Sequence, residues 1–181
     1  MQTALAVVDV QPAYDTWCGT VARAVAQRIN NTRKPTVIFW VGDGITTDTE
    51  DDVRHYLREA GIRPGKLADN CRFIEKDYGF FRAWMDNCVP DNLIVRVGQE
   101  MFRTDIHCSE ELDIAGIFPA FDTSVLPQYD HLRLPTFDDR SLRLFDAFET
   151  CGGGNRECLA EMELYFEMKG QPATRLDHLV Y

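Results

Sequence analysis

Residues 4–41 read ALAVVDVQPAYDTWCGTVARAVAQRINNTRKPTVIFWV, and their pattern decides the fold. At either end stands an unbroken apolar run, Ala4 to Val8 and Thr36 to Val41. Runs of β-branched and aromatic residues without polar alternation belong to strands buried on both faces. The first strand is predicted over residues 1–10, with Asp9 as its polar end and Gln11-Pro12 as its break; the second is closed by Gly42-Asp43-Gly44. Between them Val21, Ala24, Val25, Arg28 and Ile29 make one stripe and predict a helix over 20–31. Strand, helix and strand in this order argue for a parallel sheet covered on both faces.

Working outward, Val53, Tyr56, Leu57 and Ala60 predict a helix over 49–60 that stops at Gly61. A short strand is expected over 71–76. Phe80, Phe81, Trp84 and Met85 place a helix over 79–87, and a second amphipathic helix opens at Pro90 and runs to Phe102. Both aromatic stripes read as core. Pro119, Pro127 and Pro135 then break the pattern, so residues 98–140 are read as an insertion, a lid or an oligomer contact. A strand over 142–151, a helix over 157–168 and a final strand over 173–181 complete the chain. The expectation is one domain over 1–181, a three-layer α/β/α sandwich with a mostly parallel sheet of about five or six strands.

The net charge of -10 repels phosphate backbones and anionic lipid, which excludes general nucleic-acid and membrane-surface partners and favours a small-molecule substrate. No apolar run approaches the roughly 20 residues that span a bilayer, and no basic, then apolar leader opens the chain, so a cytoplasmic location is expected. The cysteines, Cys18, Cys71, Cys88, Cys108, Cys151 and Cys158, form no CxxC pair and are read as reduced thiols. His55, His107, His131 and His178 lack ligand spacing, and neither metal nor cofactor is expected.

In an open parallel sheet, ligands sit beyond the carboxyl ends of the strands. Asp9 and Lys76 stand at two such ends, and Cys158 follows Gly152-Gly153-Gly154 where a strand turns into a helix. Backbone N–H groups and the helix N-terminus favour a thiolate there, a setting that lowers a cysteine pKa from ~8.5 into the range ~3.5–7.5. Asp9 is then a base for the thiol proton, and Lys76 the ammonium that holds the anions. Glu157 and Glu161 act against the thiolate and Arg156 for it. Asp43, at the end of the second strand, is a candidate substrate contact. The plainer readings are a capping Asp9, a solvated Lys76 and a packed Cys158.

These residues resemble the isochorismatase-like cysteine hydrolases, a family that includes nicotinamidases. Val8-Asp9-Val10-Gln11 is similar to the family's Asp-x-Gln, Glu75-Lys76-Asp77-Tyr78-Gly79-Phe80-Phe81 to its lysine and aromatic helix start, and Gly152 to Leu159 to its Gly-x-x-Thr-x-x-Cys-Val turn, with Asn155 for threonine. The resemblance implies a catalytic Asp9, Lys76 and Cys158, a cis peptide between Gly153 and Gly154, and an oxyanion hole from the N–H groups of Gly154 and Cys158. It also implies Gln11 and Asn155 as substrate contacts, cleavage of a small-molecule C–N bond through a thioester, and a homo-oligomer. The Asp-x-His-type metal pattern is missing after the second strand, and Lys76 and Cys158 are far apart for the family. An inactive binding or regulatory protein, holding an anionic or nucleotide-like ligand at the glycine turn or a protein partner at the insertion, is the alternative.

Overall fold

The computed structural model describes every residue except Met1, Asp43 and Tyr129. Among the described residues, the strands β1 (Thr3–Val8), β2 (Thr36–Trp40), β3 (Cys71–Glu75), β4 (Ala147–Gly152) and β5 (Ala173–Arg175) form one sheet ordered β3-β2-β1-β4-β5. Every pairing is parallel. The helices in chain order are α1 (Asp15–Asn31), α2 (Glu50–Glu59), α3 (Pro64–Asp69), α4 (Arg82–Asp86), α5 (Asp91–Thr104), α6 (Ile114–Ile117) and α7 (Cys158–Met168).

The central strand β1 has no accessible surface from Ala4 to Val8, as its unbroken apolar run requires. Alternate residues feed two cores. Ala4, Ala6 and Val8 join Phe39 and the inner faces of α5 and α7, while Leu5 and Val7 join Ile38 and the stripes of α1 and α2. The result is the expected three-layer α/β/α sandwich.

Several boundaries differ from the sequence reading for identifiable reasons. Helix α1 begins at Asp15 rather than residue 20, because Cys18 extends the buried stripe of Ala22, Val25, Ala26 and Ile29 by one turn. Pro64 at a first-turn position starts α3, which the pattern did not predict. The helix expected over 79–87 contracts to α4, although Phe80, Phe81 and Trp84 are buried as core. The strand expected from 142 begins only at Ala147; Leu142–Leu144 is a 3₁₀ turn that buries Leu142 without sheet pairing and leaves Leu144 exposed. The last strand ends at Arg175, and Asp177–Leu179 is another such turn.

Helix α5 runs on to Thr104, into the stretch read as inserted, and ends where Asp105 adopts φ 59°. Beyond it the chain is largely irregular, yet Leu132, Leu134 and Leu142 are buried, and Phe137 sets its ring 6.1 Å from Phe39. Ser109 and Leu132 exchange two hydrogen bonds of 2.9 Å that pin the segment to itself. Ile114, Phe118, Leu132 and Leu134 therefore turn inward into the core that holds α5 and α7, while Ile117 and Val125 stay exposed.

Phe166 on α7 has no exposed surface and stacks on Phe148 of β4 at 4.0 Å between ring centroids, with Phe39 edge-on at 5.9 Å. A Phe166→Ala substitution removes the contact that seats α7 on the sheet, and urea unfolding should show a loss of about 3–5 kcal/mol.

Candidate active site

The strand order changes direction between β1 and β4, since β2 and β3 lie on one side of β1 while β4 and β5 lie on the other. At such a switch point the loops leaving the two strands diverge and open a crevice. Asp9 follows β1 directly, and the Gly152 turn follows β4. Lys76 follows β3, on the far side of β2.

Asp9 adopts a left-handed backbone, φ 50°, a conformation few non-glycine residues take and that aspartate tolerates better than most. Its N–H donates to Phe39 O at 2.9 Å, anchoring it to β2. Lys76 is anchored likewise to Trp40 O at 2.8 Å, and its side chain reaches back across β2 to place Nζ 3.1 Å from Asp9 Oδ2. Both side chains are 1% exposed. At that depth either charge alone carries a desolvation penalty of several kcal/mol, so each is tolerable through the other. Asp9 Oδ1 is buried without a well-formed hydrogen bond.

Gly152 and Gly153 both have positive φ, 72° and 63°. A Cβ at Gly152 would stand 2.5 Å from Val8 O, and one at Gly153 2.8 Å from Leu159 Cβ, so the turn admits no side chain at either position. The two left-handed residues reverse the chain with trans bonds, and the cis peptide expected between Gly153 and Gly154 is absent. The turn seats Cys158 as the first residue of α7, where the Gly154 N–H donates to Sγ at 3.3 Å. This N–H, expected to face an oxyanion, is directed at the sulfur in this state.

The expected acidic thiol is also corrected. Burial first, and the Asp9 charge second, push the Cys158 thiol up to about 12, against the opposing pull of Lys76 and the Gly154 N–H. Cys158 is 9% exposed, so desolvation outweighs the helix N-terminus. The thiol is therefore neutral at rest, with the Asp9 charge close enough to oppose its ionisation.

Asp9, Gly154 and Cys158 border a cleft of about 530 Å³ whose other walls include Tyr14, Trp17, Tyr78, Tyr181 and Arg82. Tyr181 clasps the site: its hydroxyl donates to Asp9 O at 3.1 Å, its N–H to Gly153 O at 3.3 Å, and its carbonyl accepts from the Asn155 N–H at 3.2 Å. Burial, with Cys158 and Asp9 nearby, raises its phenol well above the usual range. Trp17 and Tyr78 are 59% and 55% exposed and form the rim.

The remaining candidates divide. Asn155 is exposed at the cleft, with its side-chain oxygen accepting from Arg175. Gln11 is wholly buried: Nε2 donates to Val41 O and Asp48 Oδ2, both at 2.8 Å, and Oε1 accepts from the Val41 N–H at 2.9 Å. Both amide N–H donors are thus committed, and Gln11 ties the end of β1 to the loop after β2 rather than contacting substrate. Asp43 lies outside the described residues. Sequence reasoning missed Tyr14, Trp17, Tyr181 and Arg82. The only available signal was their placement just after a strand, before a helix or beside a motif residue.

No family model matches the chain, and no curated protein does. Among solved structures, the MAR1 ribonuclease from Caenorhabditis elegans matches at 11% identity with a TM-score of 0.48, over 99% of this chain and 64% of that one. This chain thus spans less than two thirds of that protein's length, and a likeness of this degree bears on neither activity nor substrate.

Because Asp9 is the largest charge holding the thiol neutral, an Asp9→Asn variant should bring the Cys158 titration to lower pH than in the wild type. The pH profile of Cys158 alkylation by iodoacetamide, followed by peptide mass spectrometry, measures this; an unchanged or higher midpoint contradicts the arrangement.

Proposed function

We propose that this chain is a divergent isochorismatase-like cysteine hydrolase that cleaves a C–N bond of a small amide or related molecule. One observation carries the reading: a cleft bordered by a cysteine at a helix start, with a buried Asp9–Lys76 pair 3.1 Å apart acting on its sulfur. A capping aspartate or a solvated lysine has no reason to be sequestered in this way.

In the reaction, a substrate that fills the cleft displaces water and brings its carbonyl carbon to Sγ. Asp9 takes the S–H proton as sulfur attacks, so charge moves from the carboxylate to the carbonyl oxygen without a standing thiolate. Lys76 remains beside the protonated Asp9 and offsets the developing negative charge. Once Sγ is bonded to carbon, it no longer competes for the Gly154 N–H, which becomes a donor to the tetrahedral oxyanion; such donors contribute about 2.7–4 kcal/mol in other hydrolases. Asp9 returns the proton to the departing nitrogen, leaving a thioester. Water, deprotonated by Asp9, then attacks the thioester carbon and releases the acid and the thiol.

The high thiol pKa and the Gly154 N–H directed at sulfur favour a second reading, a binding protein that keeps this site without turnover. Incubation with a panel of small amides separates the two. The hydrolase reading expects ammonia or amine release from the wild type, an acyl adduct on the Cys158 peptide after acid quench, and neither from Cys158→Ala with an unchanged unfolding midpoint. Release that persists in Cys158→Ala defeats it. Ligand-dependent thermal stabilisation without release or adduct supports the binding protein.

A further inference from the structure

Arg82 is the first residue of α4 and lines the cleft together with Asp9 and Cys158. Its side chain is 23% exposed, yet no N–H of its guanidinium makes a hydrogen bond with any described residue. Nε is buried without an acceptor. Nη1 lies 3.6 Å from Glu157 Oε2 and Nη2 3.8 Å from Glu161 Oε2, both beyond hydrogen-bond reach. This is unusual for a group that presents five donors in a fixed fork, since buried arginine donors are ordinarily met by carboxylate or carbonyl oxygens.

The neighbouring acids do not neutralise it fully. Glu157 is 64% exposed, so water screens its charge. Glu161 is 1% exposed, accepts from the Phe81 N–H at 2.9 Å, and is pushed toward its neutral form chiefly by burial. Glu157 precedes Cys158 and Glu161 stands one turn beyond it, so the guanidinium lies along the first turn of the helix that carries the nucleophile. The other cation at the cleft, Arg156, is exposed.

We propose that the substrate is anionic, and that Arg82 holds its carboxylate while the scissile carbonyl meets Cys158. The inference rests on the hydrolase reading and narrows its substrate class. A carboxylate matches the guanidinium fork in a bidentate pair at hydrogen-bond distance, which the looser ion pairs with Glu157 and Glu161 do not reach. The aromatic side chains of Tyr14, Trp17 and Tyr78 then cover the apolar body of the molecule. The site thus selects by charge at one end and by reactivity at the other.

Two alkylating reagents of similar size test this without knowledge of the natural substrate. Iodoacetate carries a carboxylate and iodoacetamide does not; in each, Sγ displaces iodide, so the S–C bond forms as C–I breaks and the thiol proton passes to Asp9 or solvent. Rates at Cys158, each divided by the same reagent's rate with free cysteine, should favour iodoacetate in the wild type. In Arg82→Gln the iodoacetate to iodoacetamide ratio should fall by about tenfold or more, the loss expected for a hydrogen-bonded charge pair. The ratio cancels any change in thiol acidity. Arg82→Lys, which keeps the charge and loses the fork, should retain part of the preference, and equal unfolding midpoints show that the variants fold. Equal normalised rates in the wild type, or a ratio unmoved in Arg82→Gln, overturn the anionic class while a reactive Cys158 leaves the hydrolase reading standing. No labelling of Cys158 by either reagent overturns the anionic class, and amine release from amides then decides the hydrolase reading separately.

Discussion

The contact on which the architecture of the cleft depends is the buried pairing of Asp9 with Lys76. Its partners leave strands that are not neighbours, so two strand spacings, about 10 Å, must be bridged. Only a long side chain lying over the end of β2 can do this, and lysine supplies four methylenes for the purpose. The pair forces both strands to end at compatible heights, and the hydrogen bonds of Asp9 to Phe39 and of Lys76 to Trp40 set those heights from the strand between. It also gives the carboxylate a fixed direction beside the sulfur. Removing either partner would leave a charge in a place with almost no access to water.

Around this pair the site is built for restraint. A thiol kept neutral by burial does not react with stray electrophiles or oxidants as a standing thiolate does. The Asp9 carboxylate is already beside it, and the Gly154 N–H already points at it. In the proposed reaction, activation is therefore placed in the encounter with substrate, and the outcome is tied to whatever correctly fills the cleft.

The sequence carried the fold where burial is complete. Ala4 to Val8 and Thr36 to Trp40 are buried almost throughout, so their apolar runs had one interpretation. Leu142 and Phe145 misled because burial by a 3₁₀ turn looks the same in one dimension as burial by a strand. Asp9, Lys76 and Cys158 were legible because polar residues that end apolar runs are conspicuous and their order had a known parallel. Gln11 was recognisable as special but not as scaffold, since its partners Val41 and Asp48 lie some 30 or more residues away. Arg82 and Tyr181 were missed for the same reason, since position beside a motif or a strand was all that marked them. Their roles come from tertiary approach, and neither lies in a pattern with a period.

The pairing of β1 with β4, Thr3 beside Ala147 through Val8 beside Gly152, joins segments separated by most of the chain. At about 5–20 residues per second, synthesis of the intervening stretch takes on the order of ten seconds. Throughout that interval β1 is an apolar strand with one flank unpaired, emerging from the ribosome in company with β2 and β3 alone. A sheet whose central strand is made first, and whose partners β4 and β5 on one side are made well after it, leaves that flank of β1 open until both have been synthesised.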